Sequence, residues 1–532
     1  MPETMQRERA TVAQSSASKP IEAQEVETSP RTLTKVVATI GPASESAEIV
    51  RRLILAGVSV FRFNFSHGTW EEHERRLETV RREAGLLGRE VACVGDLPGP
   101  KIRVGRVPGS GIEVVPGQDV VFRNDLNDAR VEDRGGAMTV VLPSTYPDLI
   151  GDVQPGHRVL INDGAIRMLA VETTSEELRC RVHVGGLITS GKGINLPQSS
   201  VRAPAITERD WEAVEWSIRH EMDYVALSFV RTASEVRELK DRIWQVRSSC
   251  KAEGVGGTVL PVIAKIEKPQ ALENIESIAE VADGIMVARG DLGVEMEIAS
   301  VPVAQKRIIE VCHRHGTPCI VATQMLETMI TSASPTRAEA SDVANAVFDG
   351  ADAVMLSGET AVGKYPEVVV QTMRRIVSAA ESYMKDRDAP PRPPRSFDVG
   401  HRLTAALAHG AWQAARDLGA KAVVCWSQNA GTARYVSQQD FSMPIVAYSS
   451  NPRAVRRMAL YRGVTSVLSD PPVSGRLSEW NEQVDAFLLS QHLVQKNDWI
   501  VMLAGRPLGQ AKRTNTLAVH RVGEQDGGFY GQ

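Results

Sequence analysis

The sequence is short of the features that mark several large classes of protein. Cysteine is scarce: six in 532 residues, at Cys93, Cys180, Cys250, Cys312, Cys319 and Cys425. They stand singly, none forms a CxxC, and Cys312 and Cys319 have no second pair to complete a zinc site. Most sit in apolar runs, such as VACV around Cys93, and read as buried thiols of a reducing compartment. No charge of one sign dominates, since 61 Lys and Arg face 65 Asp and Glu for a net charge of −4. No global field therefore recruits nucleic acid or an anionic membrane, and neither partner is expected. No stretch approaches the roughly 18 uninterrupted apolar residues of a membrane span. The first residues, MPETMQRERATVAQ, lack an apolar centre and carry Glu3 and Glu8, against a signal or transit peptide. A cytoplasmic protein is expected.

What remains is an ordinary globular mixture, 42% hydrophobic and 24% charged. Its length suggests roughly three to four domains. Residues 1–33, rich in Ser, Thr, Glu, Gln and Pro, read as a disordered tail. Then come eight short apolar runs: KVVATI (35–40), VSVFRF (58–63), EVACVG (90–95), DYVALSF (223–229), LPVIAKI (260–266), GIMVA (284–288), PCIVAT (318–323) and DAVML (352–356). Continuous rather than alternating hydrophobicity suits parallel strands covered on both faces. Eight strand–helix units match a closed (β/α)8 TIM barrel over 34–99 and 200–385, with an open doubly wound sheet as the alternative. Residues 100–199 interrupt the repeat with strand-like pieces (RVLIND, IRMLAVE, LRCRVHVGG) and read as an inserted small β-barrel domain. Residues 386–399 form a Pro-rich linker, 400–522 a C-terminal α/β domain, and 523–532 a frayed tail.

Active sites of such barrels gather at the C-terminal ends of the strands. The polar residues there are Arg62, Asn64 and Ser66, Asp96, Ser228, Lys265 and Glu267, Arg289 and Asp291, Thr323, and Ser357 with Glu359. Glu267 and Asp291 suit a hard divalent cation that also takes substrate oxygens. Arg62 and Lys265 suit an anionic substrate that develops further negative charge. Gly290 lets backbone approach a carboxylate or phosphate. Taken singly, Lys265–Glu267 and Arg62–Asp96 would equally serve as rim ion pairs. Gly186 to Lys192 imitates half a P-loop, but Gly193 stands where Ser or Thr is needed, and no GxGxxG follows a strand.

The segments FNFSHG (63–68), GPKIRVG (99–105), GKGINLP (191–197), AKIEK (264–268), MVARGDLGVE (286–295), ATQMLETM (322–329), PTRAEASDVANAV (335–347) and DGADAVMLSGETA (349–361) resemble pyruvate kinase, from about Val36 to Val522. The resemblance implies a barrel A domain, a mobile B-domain lid, a C-terminal regulatory domain and a homotetramer. It implies Mg2+-dependent phosphoryl transfer from phosphoenolpyruvate to ADP, giving pyruvate and ATP, with Mn2+ as an alternative ion. Arg62 would bind the phosphate, and Lys265 would stabilise the phosphoryl group and the enolate. Glu267 and Asp291 would hold Mg2+. Gly290, Asp291 and Thr323 would hold the carboxylate, with Thr323 and a water as proton donor. Asn64, His67, Arg103 and Lys192 would meet the nucleotide.

Two departures carry expectations of their own. Lys101 stands where many relatives have a glutamate, and in the family that lysine accompanies independence from K+. Asn64, Ser66, Asp96 and Leu97 would then be a remnant monovalent-cation site served by the tethered ammonium. In the C-terminal domain, Ser427, Asn429 and Thr432 lie where many relatives have a Ser/Thr-rich phosphate loop; Asn429 and Ala430 replace residues typical of sugar-phosphate-activated members, so the loop either takes a phosphometabolite effector through Ser427 and Thr432 or merely packs. A pyruvate-enolate lyase needs no nucleotide, which Arg103 and Lys192 argue against. A non-catalytic sensor would be expected to lack Lys265, Glu267 or Asp291, all of which are present.

Overall fold

The computed structural model describes residues 31–252, 259–385, 402–439, 441–473, 477–509 and 514–524. The expected disordered tail up to residue 30, the Pro-rich linker and residues 525–532 lie outside them. The eight apolar runs form eight strands: β1 (Lys35–Thr39), β2 (Val58–Asn64), β3 (Ala92–Asp96), β4 (Tyr224–Leu227), β5 (Val262–Ile266), β6 (Gly284–Ala288), β7 (Cys319–Ala322) and β8 (Ala353–Leu356). They close in the order β1-β8-β7-β6-β5-β4-β3-β2, every pair parallel. This is the (β/α)8 barrel, and the open sheet is excluded.

The period of two along each strand divides the core. Val37, Val60, Val94, Tyr224, Ile263, Met286 and Ile320 face inward, while Val36, Phe61, Cys93, Val262 and Ile285 pack outward under the helices. Helix starts are written locally. Thr69 with Glu72, Thr207 with Asp210 and Thr336 with Glu339 form capping boxes at the helices Trp70–Leu86, Glu208–Arg219 and Arg337–Asp349. Among the described residues, no helix is long and apolar enough to cross a membrane. Cys93, Cys180, Cys312, Cys319 and Cys425 are buried free thiols, and the side chain of Cys250 lies outside the described set.

Between β3 and β4 the chain forms a seven-stranded sheet and a two-stranded one around their own apolar core. Bridges from Arg103 to Gly193, Val104 to Ser144 and Arg106 to Asp128 tie the entering segment to both edges of the larger sheet. After the barrel comes the helix Arg402–Asp417 and a five-stranded sheet in the order 464–468, 445–449, 422–426, 499–504, 516–521, the last strand antiparallel. The two edge strands here, VTSVL and TLAVHR, were not expected from the sequence; polar residues interrupt both.

This sheet and its helices abut the N-terminal ends of the barrel strands. Asp223, just before β4, receives Arg81 at 2.7 Å, Cys93 N at 2.8 Å and Arg456 at 2.9 Å. Asp352, just before β8, receives Cys319 N at 2.8 Å and Gln438 at 2.6 Å. The opposite mouth is left to the insert and the polar strand ends.

Candidate active site

Lys265, near the end of β5, stands at the centre of the C-terminal mouth. Its Nζ lies 2.9 Å from Glu267 Oε1 and 3.2 Å from Asp96 Oδ1, and donates to Ser228 Oγ at 2.8 Å. Arg62 reaches the other oxygen of Asp96, Nε to Oδ2 at 2.5 Å, and donates from Nη1 to Thr39 Oγ1 at 3.1 Å. Side chains from β1, β2, β3 and β5 and from the loop after β4 thus converge, although more than 200 positions separate Thr39 from Lys265. Both rim ion pairs anticipated from the sequence exist, joined into one network by Asp96.

Asp96 and Glu267 are each 1% exposed, so water screens the charges of the network little. Burial alone would raise the Asp96 pKa, but Arg62 and Lys265 hold it below the usual carboxylate range. Burial likewise opposes the Lys265 ammonium, yet Asp96 and Glu267 outweigh it and raise its pKa, keeping the amine charged. Glu267 goes the other way. Burial raises it, Lys265 opposes, and the negative charge of Asp291 raises it further. Three carboxylates here face two cations, and the surplus negative charge sits between Glu267 and Asp291. Two carboxylates alone do not enclose an ion; among the described residues no cluster of three or more His, Cys, Asp or Glu does so. A divalent cation completed by substrate oxygens fits this donor set.

Backbone completes the mouth. Phe229, at φ +55°, aims its N–H at Glu267 Oε2 across 2.7 Å. Gly290 N donates to Thr323 Oγ1 at 2.7 Å, and that hydroxyl donates to Ala322 O at 2.7 Å. A Cβ at Gly290 would come within 3.2 Å of Thr323 Oγ1, a tight contact that the Thr323 side chain would have to relieve by a few tenths of an ångström. Thr323 and Gln324 both take positive φ, +67° and +55°. Arg289 holds their carbonyl oxygens at 2.9 and 3.3 Å while pairing with Asp342 at 2.7 Å.

The remaining expected residues divide into two groups. Asn64 Oδ1 accepts from Ser66 N at 3.2 Å and Asn64 stands beside Asp96 in the β2–β3 register. Leu97 O accepts from Ser228 Oγ at 2.6 Å. On the insert, Arg103 and Lys192 are brought together by the Arg103–Gly193 bridge, and Arg103 Nη1 donates to Gly191 O at 2.9 Å. His67 lies exposed on the loop after β2, and no hydrogen bond or ion pair joins it to Arg103 or Lys192 among the described residues. Lys101 points to the insert, Nζ 3.7 Å from Asp163 Oδ1. Far from the mouth, the Ser427 hydroxyl accepts from Ala433 N at 3.0 Å, Thr432 bonds Thr514 at 2.7 Å, and Asn429 is exposed. Glu359 is wholly buried and serves backbone, accepting from Leu326 N and Ser357 N.

Sequence reading missed Thr39, the Phe229 N–H and Asp342. Only Thr39 carried a signal, its place at the end of the first strand. A backbone donor has no residue type to read, and Asp342 lies on a helix.

Comparison with known proteins agrees with this architecture. The family model "Pyruvate kinase, barrel domain" matches residues 31–370, and "Pyruvate kinase, alpha/beta domain" matches 405–520. A pyruvate kinase of Mycobacterium tuberculosis is 38% identical over 495 residues, 92% of this chain and 99% of that protein. One from Geobacillus stearothermophilus is 39% identical, covering 92% of this chain and 80% of that protein. A crystal structure of a pyruvate kinase from Cryptosporidium parvum superposes with a TM-score of 0.80 at 33% identity, over 92% of this chain and 96% of that one.

Proposed function

The chain belongs to the pyruvate kinase family and is a phosphotransferase; from that membership and the network around Lys265 we propose that it transfers the phosphoryl group of phosphoenolpyruvate to ADP, giving pyruvate and ATP. The observation that carries the proposal is one buried ammonium held between two carboxylates and a hydroxyl at the barrel mouth. Such an ammonium, kept charged and fixed, is pre-aimed at negative charge developing on a phosphoryl group and an enolate oxygen. Arg62, anchored by Asp96 and Thr39, is the fixed donor for the substrate phosphate. The backbone at Gly290 and Asp291 and the Thr323 hydroxyl would receive the carboxylate, Gly290 N and Thr323 Oγ1 exchanging for it the bonds they make here to one another and to Ala322 O. Thr323 with a water then delivers the proton to the enolate carbon.

Glu267 and Asp291 would hold Mg2+, or Mn2+ in its place, which neutralises charge on the bound phosphate. Asn64 and His67 on the barrel and Arg103 and Lys192 on the insert meet the nucleotide when the insert closes as a lid. Closure excludes water that would otherwise take the phosphoryl group.

K+ is proposed not to be required. Lys101 follows five residues after Asp96, and among the described residues its ammonium has one loose ion pair, with Asp163 at 3.7 Å, which it would leave to supply a cation beside Asn64, Ser66, Asp96 and Leu97. A cytoplasmic homotetramer is proposed from membership of the family alone. A phosphometabolite effector is proposed at the Ser427–Thr432 loop, where the exposed Asn429 is the accessible side chain.

The test is pyruvate formation from phosphoenolpyruvate and ADP with Mg2+ in K+-free buffer, beside Lys265→Ala. Rapid turnover that the variant loses is expected. No pyruvate with or without added K+, even with sugar phosphates present, would overturn the reading.

A further inference from the structure

Asn195 closes the last strand of the insert and is buried. Its Nδ2 donates across 2.9 Å to Glu295 Oε1, on the barrel side. Glu295 is 2% exposed and ends the helix Arg289–Glu295, the one that opens with Gly290 and Asp291. The same Oε1 receives Lys268 Nζ at 2.6 Å, and Lys268, next to Glu267, also lies over the Phe229 ring. One carboxylate oxygen therefore joins three things: the insert, the helix that carries Asp291, and the strand end that carries Glu267.

A second contact reaches the same helix. The turn Asn162–Asp163–Gly164 takes three consecutive positive φ values, and a Cβ at Gly164 would stand 3.6 Å from Val294 Cγ1. The insert's return path is fixed independently, since Arg231 donates to the carbonyls of Val201 and Ala203. With that path anchored, the Asn195–Glu295 bond is a buried contact between the insert and the helix that carries Asp291. Asn195 Oδ1 and Glu295 Oε2 accept no hydrogen bond among the described residues.

We propose that Glu295 is a positioning residue that couples the orientation of the insert to the Glu267–Asp291 pair. Lys268 neutralises its buried charge, and Asn195 reports the position of the insert to it. Removing either partner leaves a carboxylate that is buried and under-paired, so its cost is felt by the insert and the barrel together. The proposal rests on the phosphotransfer reading above, with nucleotide contacts on the insert and phosphoenolpyruvate contacts on the barrel. It therefore separates the two substrates.

The experiment uses the full chain as wild type, Asn195→Ala, Glu295→Gln and the double variant. It reads KM for each substrate, kcat, melting temperature, and the ratio of pyruvate to ATP formed. Loss of a buried hydrogen bond to a charged group predicts roughly a 10-fold rise in KM for ADP in Asn195→Ala, with KM for phosphoenolpyruvate within about twofold. Pyruvate should outrun ATP as water captures the phosphoryl group, and the double variant should be no worse than the poorer single one. Wild-type KM for ADP and a wild-type product ratio in both single variants would overturn the proposal, as would effects that multiply. If the wild type itself makes no pyruvate, the phosphotransfer reading fails separately. The coupling is then decided by hydrogen exchange over residues 158–195 and 286–295 in Asn195→Ala: faster exchange in both segments supports it, and unchanged exchange overturns it.

Discussion

Ser228 accepts a hydrogen bond from Lys265 Nζ at 2.8 Å and donates its own proton to Leu97 O at 2.6 Å. One hydroxyl thereby ties the ammonium of β5 to the backbone that leaves β3. A lysine has four rotatable side-chain bonds, and this third partner, added to Asp96 and Glu267, removes the freedom that two carboxylates alone would leave. Ser228→Ala should lower kcat by about 10-fold, the worth of one hydrogen bond to a charged group, and lower the melting temperature as well, since Leu97 O loses its buried donor at a cost of about 1–3 kcal/mol. Steady-state kinetics beside a thermal melt checks this, and full activity in the variant would show that the carboxylates suffice.

Lys265→Met should abolish turnover and also destabilise the fold. It strips the ammonium from Asp96 and Glu267, both buried, and breaking a buried pair costs about 3–5 kcal/mol. Arg62 still serves Asp96, so the loss should fall at the lower end. Urea unfolding with kcat on the same preparation measures both effects.

On the role proposed for Lys101, the wild type should respond little to KCl relative to a salt-matched inert cation, and Lys101→Glu should be activated strongly. Asp163→Ala, which removes the ion pair seen for the ammonium, should respond to KCl as the wild type does. Strong activation of the wild type by KCl would remove the role assigned to Lys101.

Burial pushes the Lys35 ammonium down to about 8, with Glu381 opposing and Arg374 adding to the shift, while Nζ donates to Val464 O at 2.7 Å. The folded pKa is below the unfolded one, so between about pH 8 and pH 10 the unfolded chain binds more protons and stability rises with pH. The penalty is present in full below pH 8. The melting-temperature difference between wild type and Lys35→Met should shift in favour of the wild type from pH 7.5 to 9.5; a constant difference would contradict this.

Asp223→Asn should loosen the C-terminal domain from the barrel. The side chain is wholly buried and pairs with both Arg81 and Arg456, so neutralising it should cost about 3–5 kcal/mol. A lower urea midpoint, with kcat little changed in the absence of denaturant, is the expected result.

The barrel and its polar mouth were legible because strand sequences report their environment directly. KVVATI and GIMVA are apolar without alternation since both faces are covered, and Lys265, Glu267, Asp96 and Arg62 stand out as charges just where such runs end. The edge strands Val464–Leu468 and Thr516–Arg521 were hidden because an edge strand, half exposed, has no such uniform signature. Asn195 and Glu295 were hidden for a different reason: each is an ordinary residue until the fold brings them together from 100 positions apart.

The number of strands, the insertion after the third, the residue types at the strand ends and the family follow from local hydrophobicity, residue type and order along the chain. The partners follow from the folded arrangement: Asp96 is shared by Arg62 and Lys265, Phe229 offers its N–H to Glu267, and Lys101 turns toward Asp163. A hydrogen bond depends on distances of tenths of an ångström between atoms whose separation along the chain carries no information about them, and closing the barrel is what sets those distances.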